Sequence, residues 1–400
     1  MRKAPLLALG LALSVVAGLA PLATATAAPT ASDGAGGLVA ELGSVQRETA
    51  ARAPSPVGKV SGVAAALPPS GAYFRLAGAN RYATAVAVSQ DLVCGPTETP
   101  DQCEGLGGVD APVQTVFVAS GTDFPDALGA GPLASGLGPL LLVPPTGTVP
   151  AVVKAELSRI DPTDIVIFGG TGAVSSGVAT QLAAYGSISR IAGTNRYDTA
   201  GQTALQNDDI LRQQDTDDDG TPDDLGTQLI VLASGEGFAD ALSGGGAAAN
   251  NWGSLLLTAK GSLPFATRNA LQTIKPPKVI ILGGTGVVSG AVESAVKTVV
   301  PASTVLRAAG ADRFGTAIAL SKMVFPSGAN ELFLVNGLNF PDALASAPSA
   351  GFWGASTLLA KSTCVTTGTR TESSRLNPQR VTAFGGTAVV SDNALHLGTC

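Results

Sequence analysis

Short apolar runs alternate along the chain with amphipathic segments. TVFVAS (115–120) and DIVIFGG (164–170) are apolar at nearly every position, as in strands buried on both faces, whereas VPAVVKAELSRI (149–160) sets its charges on one side of a helical repeat. Strand, helix, strand, helix in that order predicts right-handed βαβ crossovers, and so a parallel sheet covered by helices. Residues 28–70, rich in Ala, Gly, Ser and Pro, lack such periodicity and read as a flexible linker.

From residue 71 onward the pattern repeats. RLAGANRYATA (75–85) returns as RIAGTNRYDTA (190–200) and RAAGADRFGTA (307–317), and FPDAL (124–128) returns as FADAL (238–242) and FPDAL (340–344). PLLLV, SLLLT and STLLA (from 139, 254 and 356) follow, and each unit closes on IFGGTGAVS, ILGGTGVVS or AFGGTAVVS (from 167, 281 and 383). Four strings in one order, three times, define units at 71–186, 187–302 and 303–400. At about 100 residues, each unit is small for a doubly wound sheet, so mutual packing of the units is expected to contribute to stability. The fold class expected is α/β, with three tandem Rossmann-like parallel-sheet repeats.

These motifs, R-x-A-G-x-x-R-[YF]-x-T-A, F-x-D-A-L, a Leu-rich run and G-G-T-x-x-V-S, resemble the cell-wall-binding repeat 2 family of Gram-positive bacteria over essentially all of 71–400. The resemblance implies a pseudo-threefold arrangement of the repeats. It also implies non-covalent attachment to an anionic polymer of the wall, teichoic-acid-like or a secondary polysaccharide. Repeats of this family occur in S-layer-associated proteins and in modifier and amidase proteins of wall turnover.

Composition narrows the chemistry. A single His, His396, leaves little room for a Ser-His-Asp triad or a multi-His zinc site, and 4% aromatic residues argue against repeated sugar-stacking faces. A net charge of −6 without a basic block makes nucleic acid a poor partner. Arg2 and Lys3, an apolar run to about Leu22 and the string ATATAA read as an export signal cleaved after Ala27. No later run is long enough to span a membrane, so a secreted protein is expected, which the resemblance places at the cell wall or cell surface. Four Cys suit an oxidising compartment, with Cys94 and Cys103 closing a short loop and Cys364 and Cys400 tying the C-terminal tail, although other pairings remain open.

Arg81, Arg196 and Arg313 recur at one position of the repeat, and Asp126, Asp240 and Asp342 at another. A guanidinium suits capture of a phosphate or carboxylate. The sparse charge of the chain favours a different role, in which each Arg pairs with the Asp of its own unit and locks the first helix to the next strand. The turns at Gly170 and Thr171, Gly284 and Thr285, and Gly386 and Thr387 leave a strand for a helix capped by Ser175, Ser289 or Ser391, and their amides suit an anion. Ala388 replaces Gly172 and Gly286 in the third unit. The Leu-rich runs read as central strands with a structural role.

Units 1 and 2 carry insertions after the first helix. In unit 2 this is DTDDDGTPDDLG (215–226), where Asp215, Asp217, Asp219, Thr221 and Asp223 offer the alternating oxygens of a calcium loop. Gly226 stands where an EF-hand needs a bidentate Glu, so another ligand such as Asp224 is required. The leading expectation is a non-catalytic wall-binding protein. An extracellular hydrolase, an accessory protein of a wall hydrolase, and a binder of a small phosphorylated ligand at the GGTG turns are the alternatives. A hydrolase needs paired carboxylates, and only one recurs in each unit.

Overall fold

The computed structural model describes residues 72–94, 105–107, 112–122, 125–214, 221–237, 240–339 and 341–400. The signal segment 1–27 and the linker 28–70 lie outside the described residues. Unit 1 comprises β1 (Tyr73–Leu76), α1 (Arg81–Leu92), β2 (Thr115–Ser120), α2 (Ala130–Ala134), β3 (Leu140–Val143), α3 (Ala151–Ile160), β4 (Asp164–Phe168) and α4 (Ser176–Leu182). Unit 2 repeats the order with β5 (Ser187–Ile191), α5 (Arg196–Arg212), β6 (Leu229–Ser234), α6 (Gly244–Ala249), β7 (Gly253–Thr258), α7 (Phe265–Ile274), β8 (Lys278–Leu282) and α8 (Gly290–Val299). Unit 3 follows with β9 (Thr304–Ala308), α9 (Arg313–Val324), β10 (Glu331–Asn336), α10 (Pro341–Phe352), β11 (Ser356–Ala360), α11 (Thr367–Leu376), β12 (Arg380–Phe384) and α12 (Asp392–Leu395).

Three four-stranded parallel sheets result, in the orders β3-β2-β4-β5, β7-β6-β8-β9 and β11-β10-β12-β1. The first strand of each unit therefore completes its neighbour's sheet. Ser187 pairs with Asp164, Thr304 with Lys278, and Tyr73 reaches back to Val381, so the N-terminal strand closes the ring onto unit 3. Two further contacts tie this closure, an Arg75 Nη2 to Asp392 Oδ1 ion pair at 3.0 Å and a Tyr73–His396 ring contact at 4.8 Å.

Alternation along the strands feeds two kinds of core. Phe117, Phe168, Leu255, Leu282, Phe333 and Phe384 all point into one cluster shared by the three units. The intervening residues, such as Val116 and Val118, Ile230 and Leu232, or Leu332 and Leu334, fill a separate outer cluster in each unit. The shared core is crossed by α2, α6 and α10, which pack on one another. Their sequences, AGPLA, GGGAAA and PDALASAPSAGF, are made almost wholly of small residues. A Cβ on Gly131 would stand 2.5 Å from Ala347 Cβ, and one on Gly246 would stand 2.6 Å from Ala350 Cβ, so helix backbones meet where no larger residue fits.

The Leu-rich strands β3, β7 and β11 are edge strands, a correction to their expected central place. They are nonetheless completely buried, because each lies beneath the first helix of its own unit and the central helix of a neighbour. Covering the edge in this way leaves no exposed ladder for another chain to pair with. Their apolar character thus follows from the junction between units.

Two expectations follow. Gly131→Ala should cost about 1–3 kcal/mol in urea unfolding through overpacking at the helix crossing, whereas Gly170→Ala, where a Cβ meets nothing within 4 Å, should leave the midpoint unchanged. The second concerns the closing seam, where Arg380 reaches Asp91 at 3.0 Å and Glu331 at 3.8 Å beside the Phe74 ring. Burial pushes the Glu331 carboxyl up to about 7, Arg380 opposes this, and Asp91 adds to it. With the folded value above the ordinary 4.5, the folded chain holds this proton more tightly, so the stabilisation is full below about pH 4.5 and is lost as pH rises towards 7. Glu331→Gln should flatten that part of the stability–pH profile and raise the unfolding midpoint at pH 8.

Candidate functional site

Three short segments meet at the C-terminal end of each sheet. The first helix of each unit starts at a capping side chain: Asn80 Oδ1 accepts from Tyr82 N at 3.0 Å, Asn195 Oδ1 from Tyr197 N at 3.0 Å, and Asp312 Oδ1 from Gly315 N at 2.8 Å. The preceding Ala-Gly turn folds back so that the amides of Gly78, Gly193 and Gly310 donate to the hydroxyls of Thr84, Thr199 and Thr316 at 3.1, 3.1 and 3.3 Å.

Arg81, Arg196 and Arg313, the first helical residues, donate to the carbonyls of Gly121, Gly235 and Gly337, at 2.6 Å in the latter two. Each of these glycines directly follows the second strand of its unit. A Cβ at Gly121 or Gly235 would lie 2.7 or 2.5 Å from the ring of Tyr82 or Tyr197, and one at Gly337 would lie 3.2 Å from Phe314. The Arg and the aromatic beside it therefore clamp the end of that strand together.

The third segment is the GG turn. Gly169, Gly283 and Gly385 have φ of +92°, +88° and +97°, and a Cβ there would stand 2.6, 2.7 and 2.6 Å from the carboxylates of Asp126, Asp240 and Asp342. Backbone and packing each require glycine at this position. From the strand added by the next unit, Arg190, Arg307 and Arg75 donate to the carbonyls of these same glycines at 2.5, 2.7 and 2.7 Å. Burial raises the carboxyls of Asp240 and Asp342, and the groups that oppose it come across the seam, Thr316 and Arg313 for Asp240, Thr84 and Arg81 for Asp342. Burial also lowers the Arg190 guanidinium.

Residues 75–179, 190–293 and 307–395 each match the family described as Cell wall binding domain 2 (CWB2). The chain belongs to that family. It is 28% identical over 319 residues to the N-acetylmuramoyl-L-alanine amidase LytC of Bacillus subtilis (strain 168), covering 79% of this chain and 56% of that protein. It is also 28% identical over 276 residues to the Amidase enhancer of the same organism, covering 69% of this chain and 33% of that protein. Among solved structures, Cwp6 from Clostridium difficile has the same fold with a TM-score of 0.68 at 23% identity, over 87% of this chain and 51% of that one. Cwp8 from Clostridium difficile follows at 0.64 and 22%, over 80% and 50%. The chain thus spans about half the length of these solved structures and between a third and somewhat over half of the curated relatives.

In this cell wall binding domain 2 chain the expected pairing of Arg with the Asp of its own unit needs correction at Asp240 and Asp342. Each Arg does hold its helix to the next strand of its own unit, but through a glycine carbonyl. The carboxylate beside Arg81 belongs to unit 3 and the one beside Arg313 to unit 2. Exchange of the first strand carries each helix start onto the neighbouring sheet, which makes every site a junction of two units.

Thr171, Thr285 and Thr387 are exposed, and a Cβ on Gly170, Gly284 or Gly386 meets nothing within 4 Å, so these turns face open surface. The same openness at Gly172 and Gly286 explains how Ala388 fits in unit 3. Ser175, Ser289 and Ser391 cap the following helices. Cys364 and Cys400 form a disulfide, while the Cys94–Cys103 pairing lies outside the described side chains. Asp215, Asp217 and Asp219 are likewise outside the described residues. Thr221 and Asp223 are described, and Asp223 N donates to the Gln214 carbonyl at 2.8 Å. Asp224 is also described, and its Oδ1 accepts from Arg212 Nη1 at 2.8 Å.

Sequence reasoning singled out neither Arg75, Arg190 and Arg307, nor Thr84, Thr199 and Thr316, nor Gly121, Gly235 and Gly337. Their identity in all three copies was the available signal. The two glycines of the turn separate cleanly in experiment. Gly283→Ala should cost about 1–3 kcal/mol, through a strained backbone and displacement of Asp240, while Gly284→Ala should leave the urea midpoint within error.

Proposed function

We propose that this chain is a secreted, non-catalytic protein of the cell wall that holds an anionic secondary polymer at the three junctions between its units. One observation carries the proposal. The same half-buried guanidinium, carboxylate against a glycine and open GGT turn recur at the C-terminal end of every sheet, where parallel α/β sheets receive ligands. The Arg side chains and turn amides supply local positive potential on a chain whose overall charge is −6. Three equivalent sites on a repetitive polymer convert modest affinity at each into avidity.

The repeat supplies one carboxylate common to all three junctions, where glycoside hydrolysis by acid and base requires two. A binding role also suits relatives whose printed names concern an amidase and an amidase enhancer, since the family matches cover most of this chain. Calcium at Asp215, Asp217, Asp219, Thr221 and Asp223 belongs to the proposal as a structural staple of the unit 2 insertion.

Sedimentation with purified Gram-positive walls is the test. The chain should pellet with intact walls and stay in solution with walls stripped of phosphodiester-linked polymer. Arg196→Gln should lower retention several-fold, and Arg196→Gln with Arg313→Gln should lower it by roughly the product of the single effects. Equal retention on stripped walls would remove the anionic polymer from the account. A chelator arm of the same assay, with retention and thermal midpoint both unchanged, would remove calcium.

A further inference from the structure

A cleft of about 370 Å³ opens on the outer side of unit 2, between the start of α5 and the start of α7. Its size falls within the range of about 300–1,000 Å³ common to small-ligand clefts. Thr194, Asn195, Tyr197, Gln202, Phe265 and Asn269 contribute most of its chemistry. It borders the repeated helix start through Asn195 and Tyr197, but Phe265, Gln202 and Asn269 are particular to this unit.

Comparison among the three copies shows how the cleft arises. Phe265, Asn269 and Gln202 stand where unit 1 has Ala151, Ala155 and Ala87 and where unit 3 has Thr367, Thr371 and Ala319. Gly201 replaces Val86 and Ile318, taking away a side chain that would fill the space, and a Cβ added there would approach the Ala266 carbonyl oxygen at 3.3 Å. Beneath the cleft, Ala204 and Ala270 replace a buried network that ties the corresponding helices in the other units. In unit 1 that network joins Ser89 to Glu156 at 2.5 Å with Arg159, and in unit 3 it joins Ser321 to Glu372 at 2.6 Å with Arg375. The unit that lacks this polar tie carries amides and an aromatic on its surface.

Phe265 is 82% exposed, more than any other large apolar side chain described. An aromatic face held in water beside amides suits the apolar face of a pyranose, with amide donors and acceptors for its substituents. The carboxylate of Asp198 is already engaged by Thr194 N at 2.9 Å, Thr194 Oγ1 at 3.2 Å and Gln202 Nε2 at 3.4 Å. No Lys or Arg lines the cleft, so nothing there compensates a phosphate or a uronate. We infer that this cleft of unit 2 binds a neutral N-acetylated hexosamine of a wall glycan, with Phe265 stacked on the ring and Asn269 and Gln202 pairing with its acetamido and hydroxyl groups. The inference rests on the wall-binding reading above and adds a second, uncharged ligand class to it.

The test uses the full chain and a soluble N-acetylglucosamine trisaccharide, titrated by ligand-observed NMR. Binding in about the millimolar range is expected, at least about tenfold weaker in Phe265→Ala, with the thermal midpoint unchanged because this ring packs on little. Inorganic phosphate in equal excess should not displace the sugar. Absence of binding at about 10 mM, equal binding by Phe265→Ala, or displacement by phosphate would each overturn the inference. Wall sedimentation of the unaltered chain distinguishes the two levels. If the chain pellets with walls yet ignores the trisaccharide, only the cleft assignment fails, whereas loss of sedimentation itself removes the wall-binding reading.

Discussion

The exchange of one strand per unit is the constraint on which the rest of the structure depends. Because β5, β9 and β1 each complete another unit's sheet, no sheet is finished by the residues of a single repeat. The smallest arrangement that satisfies every strand is then the closed ring, and closure falls to Tyr73–Leu76 pairing with Arg380–Phe384 of unit 3. This also explains why a unit of about 100 residues can persist: its inner sheet face is buried in a core shared by all three.

Ring closure determines the chemistry of the junctions as well. The helix that follows each exchanged strand starts over the neighbouring unit's GG turn, so a threonine and an arginine from one unit face a desolvated aspartate from another at Asp240 and Asp342. Desolvation of that aspartate is a cost to folding. The glycine turn that admits it, the Thr hydroxyl and the nearby guanidinium offset the cost, and those are the residues present in all three copies. A site assembled this way cannot exist in an isolated repeat.

The three copies also serve as an internal comparison. In two units a buried Glu holds a buried Ser and a half-buried Arg between helices, and one unit replaces the Ser and Glu by Ala204 and Ala270 without altering the fold. A buried hydrogen-bonded polar pair is thus interchangeable with apolar packing when both partners change together. The unit freed of this tie is also the one with a longer first helix, Arg196–Arg212 against Arg81–Leu92 and Arg313–Val324, and with the surface cleft. Divergence has accumulated away from the junctions.

Much of the architecture was legible from one-dimensional patterns. TVFVAS and DIVIF are strands, 151–160 is a helix, the serines after the GG turns are caps, and the repeated strings mark three copies of an α/β unit, because periodicity and capping are local properties of consecutive residues. The pairing of Cys364 with Cys400 was legible as one of several possibilities. Tertiary structure alone decided which sheet each first strand joins, and therefore that Arg81 faces Asp342 and Arg313 faces Asp240 of a neighbouring unit. It also placed the leucine strands at buried edges. Pairing partners and burial depend on contacts between different units, from Ser187 with Asp164 to Tyr73 with Val381, and identical repeats give identical local signals whether a strand stays at home or is exchanged.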